Sequence, residues 1–531
     1  MYRLSLLRTS TRAGNIRTAA SLLTQSFLLL LWLALGTFPA RAQTGAKTPD
    51  PCTSGHEFAT TDCALTWHGI TLYGAYDVGI GWVSHGLPEN GYNYEGASLV
   101  NRNGYQHRFL IAPNNLQQTG LGIRGKEEFL PGWSVVFNAS TGINPQSGLL
   151  ANASKTDIIN NGLPRSSYSY AIDGARAGQP FNDEIYGGIS STHFGALTFG
   201  RQRSLGTDAM LLYDPAGGSY AFSYIGYNGT MAGGGDTENS RWDDAVKYRL
   251  TVGPVHFGAM YKFADGSGGC YSASATWTAS SCAPESAHNN AYGFDLGASY
   301  RKFSFDIVPQ HYNQAISVLN PLLGPQSQSP GQSFQSTADS INTNPINGGV
   351  NLIDPSDTVY GIVTDNYGIM VAAKYVGDPI KVFAGYEYVW QKNPKNPLGV
   401  GASDQGGYIM SGVEDNNLDS EKLLNIWWTG VKYSYRSKTD FTFAWYQQRQ
   451  NDFRLPPTCS ASAGFRSSCA GTLNEGSLYV DHHFTKRFDG FAGIAYSWVS
   501  GGLAIAIPHK PGVPYNSDNN FAPTVGGRFS F

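Results

Sequence analysis

Val255, Phe257, Ala259, Tyr261 and Phe263 alternate with His256, Gly258, Met260 and Lys262, one residue of each kind in turn. A helix cannot sort them, because neighbours on a helical face recur every three or four positions, whereas a strand alternates at every second one. The same period returns along the chain in segments of about ten residues. Leu121 and Ile123 oppose Gly122, Arg124 and Lys126; Phe294, Leu296, Ala298 and Tyr300 share one face of a further segment. Ile369, Val371, Ala373 and Tyr375 do the same, as do Trp427, Val431, Tyr433 and Tyr435, and then Phe441, Phe443 and Trp445. Together with residues 70–82, 186–190, 197–201, 246–250, 478–484, 490–498 and the carboxyl-terminal segment, they predict an all-β chain of about sixteen antiparallel strands.

The connections decide what kind of sheet this is. Tight turns such as Leu130-Pro131-Gly132, Gly253-Pro254, Arg301-Lys302 and Gly377-Asp378-Pro379 alternate with long stretches rich in Gly, Ser, Asn and Pro. The long ones cover residues 84–117, 144–180, 204–242, 265–289, 317–358, 393–422, 452–474 and 504–519. So many long loops argue against a compact soluble domain, but they suit a transmembrane β-barrel with short periplasmic turns and long outer loops. The carboxyl end agrees. In Gly526-Gly527-Arg528-Phe529-Ser530-Phe531, Phe529 and Phe531 fall on one strand face. Termini usually fray in water, so an apolar strand at the last residue fits a strand that zips against the first and meets lipid. An edge strand of a soluble sheet is the alternative for this hexapeptide alone. Charged residues are only 14% of the chain, about half the usual share for a soluble domain.

At the amino end Arg3, Arg8, Arg12 and Arg17 precede an apolar run over residues 27–35 and the small-residue site Ala40-Arg41-Ala42. This is the order of a secretory signal peptide, expected over residues 1–42, and the apolar run falls well short of the roughly 20 residues that span a bilayer. Residues 43–68 then form an amino-terminal extension before a barrel over residues 69–531. Removing five arginines from 36 basic residues leaves 31 against 39 acidic ones, a net charge of −8. A chain so charged has no basic stripe for nucleic acid. No long apolar helix follows residue 42, which leaves a barrel or a soluble exported protein.

Six cysteines form three close pairs, Cys52 with Cys63, Cys270 with Cys282 and Cys459 with Cys469. Local pairs in an exported chain read as disulfides. Metal binding is the alternative, but no Cys-x-x-Cys spacing or histidine cluster accompanies them, and neither a metal nor a cofactor is expected.

Several segments resemble one family. Thr71-Leu72-Tyr73-Gly74-Ala75-Tyr76-Asp77-Val78-Gly79 is similar to the opening strand of the general porins of beta-proteobacteria, and residues 120–129 to their second strand. Leu197-Thr198-Phe199-Gly200-Arg201-Gln202, then Arg241 with Ala245-Val246-Lys247-Tyr248, and the terminal aromatic motif follow in the same order. The chain departs from that pattern in its long loops and its cysteine-bearing extension.

The resemblance implies a trimeric, water-filled outer-membrane channel for small hydrophilic solutes and ions, embedded in lipid. It also implies that the barrel assembly machinery recognises Phe529 and Phe531. The third long loop, residues 204–242, is then expected to fold into the lumen, with Asp208, Asp214, Asp236 and Glu238 facing Arg124, Arg201 and Arg241 across a constriction. Alternation independently turns Arg124 inward, with Gly122 and Lys126. Arg201 shares parity with Leu197 and Phe199, and reaches the lumen only if the strand bulges near Gly200 or those two residues face inward. Arg203, Lys247 and Arg249 read equally as solvated rim charges or as pore residues. A substrate-specific channel is the alternative function. A barrel enzyme is disfavoured because His482 and His483 point to opposite strand faces, and no Ser/His/Asp arrangement is legible.

Overall fold

The computed structural model describes residues 50–84, 107–113, 115–143, 145, 180–227, 241–263, 290–313, 317–319, 360–362, 365–392, 420–452, 470–501 and 519–531. The signal-peptide assignment, the pairs Cys270–Cys282 and Cys459–Cys469, and Asp236 and Glu238 lie outside these residues.

The wall begins with β1 (Leu65–Trp67), β2 (Ile70–Val83), β3 (Arg108–Pro113), β4 (Gly120–Leu130), β5 (Trp133–Gly142), β6 (Glu184–Ser191) and β7 (Gly195–Arg203). It continues through β8 (Arg241–Val252), β9 (Val255–Lys262), β10 (Ala291–Tyr300) and β11 (Phe303–Tyr312). A small separate ribbon, β12 (Ser317–Leu319) with β13 (Tyr360–Ile362), precedes β14 (Asp365–Val376), β15 (Ile380–Lys392) and β16 (Lys422–Tyr435). β17 (Thr439–Gln450), β18 (Gly471–His483), β19 (Phe488–Gly501) and β20 (Asn519–Ser530) complete it. Three helices are described: α1 (Gly55–Thr60), α2 (Leu205–Tyr213) and α3 (Tyr224–Tyr227).

Eighteen strands join in one sheet that closes on itself through β2. The upper part of β2 pairs with β20 on one edge and β3 on the other; its lower part pairs with β1 and β4 on the same two edges. β1 with β20, and β3 with β4, therefore each fill one wall position, which gives a closed antiparallel barrel of sixteen. The alternation sorts as expected. Val255, Phe257, Tyr261 and Phe263 are exposed on the outside, while Gly258, Met260 and Lys262 are buried facing in.

The join at β2 is tied by the last residue. The Gly74 amide donates to the Phe531 carbonyl at 2.9 Å, and the Phe531 amide donates back at 3.0 Å. A Cβ on Gly74 would sit 2.5 Å from the Gly120 carbonyl oxygen and 2.8 Å from the tip of the Phe531 ring, so a side chain at 74 would crowd the β4 backbone at the seam.

Residues before the barrel brace the same seam. Cys52 and Cys63 form a disulfide around α1, whose N-cap Ser54 accepts from the Glu57 amide at 3.2 Å. Arg487, in the tight β18–β19 turn, is buried against this lobe. Its guanidinium lies 4.0 Å over the Phe58 ring and donates to the Phe58 and Cys63 carbonyls, while its own carbonyl accepts from the Ser530 amide at 2.8 Å. One arginine thus joins the disulfide lobe to the closing strand. β1, which lies inside the expected extension, is part of the wall itself.

Two variants test this brace. Cys52→Ser/Cys63→Ser is expected to weaken the lobe by about 2–3 kcal/mol, the usual worth of a disulfide closing a short loop. Arg487→Ala is expected to act on the same element, so that combining the two adds little. The measurement is the temperature at which the folded, fast-migrating band is lost on semi-native gels. Unchanged temperatures in both variants would mean that the seam holds without the lobe.

Candidate functional site

α2 follows β7 directly and turns into the barrel. Ser204 starts it, its hydroxyl accepting from the Thr207 amide at 3.1 Å, and Leu205, Met210 and Tyr213 are fully buried against inward-facing wall residues such as Met260, Val308, Met370 and Trp428. A helix inside a barrel normally meets water, and here a patch of apolar wall residues on β9, β11, β14 and β16 seats its apolar side chains. Fully burying side chains of this size contributes roughly 1.5–3 kcal/mol each.

Polar ties hold the rest of the loop. The Trp428 indole N–H donates to the Tyr213 carbonyl at 3.1 Å. Asp214 accepts from the Tyr446 hydroxyl at 2.6 Å and the Gly218 amide at 2.6 Å. Burial pushes the Asp214 carboxyl above its ordinary range, against these hydrogen bonds. Further along, Phe222 stacks on Tyr479 with ring centres 4.5 Å apart, the Ser219 hydroxyl donates to the Asn115 carbonyl, and the Tyr224 hydroxyl donates to Gln448. Asn115 is itself fixed by Asp77 of β2, whose carboxylate accepts from the amides of Asn115, Leu116 and Gln117 at 3.0, 2.7 and 3.0 Å.

Between the described part of the loop and the wall lies a cavity of about 450 Å³, lined among others by Tyr73, Gln118, Asp183, Arg203, Thr207 and Arg241. Its basic groups are closely matched by acids. Arg241 donates through Nε to Asp183 at 2.6 Å, and Arg203 reaches Asp183 at 3.2 Å and Glu184 at 3.9 Å. Arg201 lies behind them, paired to Asp243 at 2.5 Å and to the Asn182 carbonyl at 3.0 Å. A bulge places it there. The β7–β8 register shifts between Gly200 and Gln202, with Gly200 (φ 123°) and Asp244 (φ 48°) in left-handed conformations, so Arg201 and Gln202 are both buried while Phe199 stays outside. Arg124 faces the lumen nearer the tight turns, 5.2 Å over the Tyr73 ring, and does not line this cavity.

The loop acids do not stand opposite these arginines as bare charges. Asp208 is clamped at 2.5 Å by both Lys247 and Arg249 of β8, and Asp214 turns away into its hydrogen-bonded pocket. Burial opposes ionisation of Asp208, but Lys247 and Arg249 outweigh it and bring its carboxyl down to about 2. Asp77, Asp183, Glu184, Asp243, Tyr73 and Gln118 were not among the sequence candidates. Their signal was weak, because single polar residues on a lumen face look alike until the register shows which of them converge.

A closed antiparallel barrel with a helix-bearing loop packed inside it defines an outer-membrane channel protein. The chain belongs to the Gram-negative porin family, whose family model matches residues 30–501. Over 196 residues it is 25% identical to an outer membrane porin protein of Bordetella pertussis, a match covering 36% of this chain and 42% of that relative's length. Among solved structures it is similar to the anion-selective porin from Comamonas acidovorans, with a TM-score of 0.53 and 14% identity over 87% of this chain and 99% of the other.

The Asp208 clamp makes a pH prediction. A carboxyl held below its unfolded value of roughly 3.9 contributes stability above that pH, and the contribution fades as pH falls through the folded value. With the folded value at about 2, the attachment of α2 is expected to survive acidification from pH 7 to about pH 4 and to fail only near pH 2. In Asp208→Asn the attachment should already be loose at pH 7. Open-channel current noise in planar bilayers, recorded across this range, reads the difference; equal noise in the two proteins at pH 7 would refute the clamp.

Proposed function

We propose that the protein is a general diffusion channel that passes small hydrophilic solutes and ions through the gap between the α2 loop and the wall, with no enzymatic activity. The observation that carries this reading is the 450 Å³ cavity beside a loop seated in the lumen. Its lining mixes charged, hydroxyl and amide groups, as a water-filled pore requires. The family also supports a homotrimer in the outer membrane, with Phe529 and Phe531 read by the barrel assembly machinery. Phe531→Ser is expected to lower the yield of assembled barrel, and wild-type yield would refute that role.

Selectivity has to be argued from this chain's own charges, since the Comamonas likeness extends to the fold alone. Arg203 and Arg241 lie on the passage, Arg201 and Arg124 beside it, and Asp208 on the loop. Asp236 and Glu238 are proposed to add acidic character from the same loop. Arg203→Ser with Arg241→Ser removes two cations beside Asp183 and Glu184 and is expected to shift the reversal potential toward cation preference. Asp208→Asn frees Lys247 and Arg249 and should shift it toward anions. Single-channel recording in a salt gradient tests both, and the shifts should shrink in concentrated salt, where screening falls to about 3 Å at 1 M. Absence of ion-conducting steps in bilayers would overturn the channel reading, and unchanged reversal potentials at low salt would move the constriction to other residues.

A further inference from the structure

Beneath the end of α2 the wall carries a cluster that the passage does not use. His256 of β9, Asp295 of β10 and Asp306 of β11 face inward on three neighbouring strands, and one ligand atom from each lies within 4.8 Å of the others. His256 Nε2 is 2.6 Å from Asp306 Oδ1. Gly297 lies opposite both residues in the sheet, and a Cβ there would collide with the Asp306 carboxylate and the His256 ring, so the missing side chain makes the space.

Three polar atoms shielded from solvent around this cluster have no hydrogen-bond partner: Asp295 Oδ1, Ser304 Oγ and the hydroxyl of Tyr213. Tyr213 ends α2, is completely buried, and turns its hydroxyl toward Ser304 and Asp306. Native proteins rarely leave such atoms unpaired; the Tyr213 and Ser304 hydroxyls lie toward each other, and Asp295 Oδ1 is the atom left for a water or an ion. Asp208, Asp295 and Asp306 face Lys247, Arg249 and Lys374, so the fixed charges balance; Lys374 is held to one side, over the Tyr213 ring and donating to the Leu212 carbonyl at 3.2 Å. Of the two Asp295 oxygens Arg249 engages Oδ2, at 3.1 Å, which leaves Oδ1 to the cluster and fixes the carboxylate plane.

We propose that His256 Nε2, Asp295 Oδ1 and the Asp306 carboxylate bind one divalent transition-metal ion of the zinc class, with the Tyr213 hydroxyl or a water completing the shell. An imidazole with two carboxylates suits zinc, cobalt or nickel, whereas calcium and magnesium take oxygen-only shells. The ion would pin the C-terminal end of α2 to the wall and so fix the width of the passage. No local sequence motif announces the site, because its ligands come from three strands and one loop helix.

Cobalt(II) is the probe, since its visible absorption reports bound nitrogen and oxygen ligands. Full-length protein in detergent, stripped with EDTA and confirmed as folded by its unheated gel mobility, is titrated with Co²⁺ and then with Zn²⁺. The expected result is one Co²⁺ per chain, displaced by Zn²⁺, with the absorption lost in His256→Gln and Asp306→Asn; Asp295→Asn substitutes should either variant not assemble. His483→Gln, which alters the separate Asp481–His483–Asp489 cluster, should keep the signal. No saturable binding by the folded wild type, an unchanged spectrum in His256→Gln, or loss in His483→Gln alone would each overturn the site. A protein that conducts ions but takes up no Co²⁺ loses this inference and remains a channel.

Discussion

Every backbone N–H and C=O at membrane depth needs a partner, and in this chain that demand converges on one strand, β2. Both edges of β2 are shared between two segments, so the wall is closed by four short joins rather than two long ones. An open edge in hydrocarbon costs several kcal/mol per unsatisfied group, which makes the ends of these joins the vulnerable places. The Gly74–Phe531 pair seals one of them, where β20 stops and β1 takes over. Just beyond, Arg487 ties the disulfide lobe to the closing strand, its carbonyl accepting from the Ser530 amide. The other place, between β3 and β4, is sealed by Asp77, which collects three successive amides of residues 115–117. A buried carboxylate there does what ladder hydrogen bonds do elsewhere.

That second seal reaches into function. Asn115, fixed by Asp77, presents its carbonyl to Ser219 and Ala221 of the inward loop. The loop is therefore held at its start by apolar burial of α2, in its middle by Asp214 and Phe222 against β17 and β18, and at its far side by a join in the wall. The described part of the loop, residues 204–227, is thus anchored on three sides of the lumen.

Much of this was legible in the sequence. Period-two alternation and the rhythm of short and long connections define the barrel, because lipid and lumen impose opposite demands on successive residues. The pore chemistry was less legible, for a physical reason visible at Gly200. One bulge there breaks the alternation, so parity alone set Arg201 with the outward Phe199, while the folded strand buries both Arg201 and Gln202, with Arg201 beside Asp243. The loop acids were found as residue types, but their partners were not, since Asp208 meets Lys247 and Arg249 only once β7, α2 and β8 are arranged in space. Asp183 and Glu184 belong to the start of a strand and carry no spacing that marks them.

The matched charges also bear on how such a pore selects. Arg201, Arg203 and Arg241 on one side each lie within 2.5–3.2 Å of a carboxylate, and Asp208 on the other lies within 2.5 Å of two cations. Paired in this way, the groups act on a passing ion as short dipoles more than as isolated charges. The field of a dipole falls off faster than that of a charge, and salt screens the remainder over about 8 Å at physiological ionic strength. If solutes take the proposed route, discrimination is confined to contact distance of Arg203, Arg241 or Asp183, where low-dielectric walls strengthen each contact. Compensation thus limits long-range steering and makes size and close contact the larger part of the filter, which is the behaviour a general diffusion channel needs.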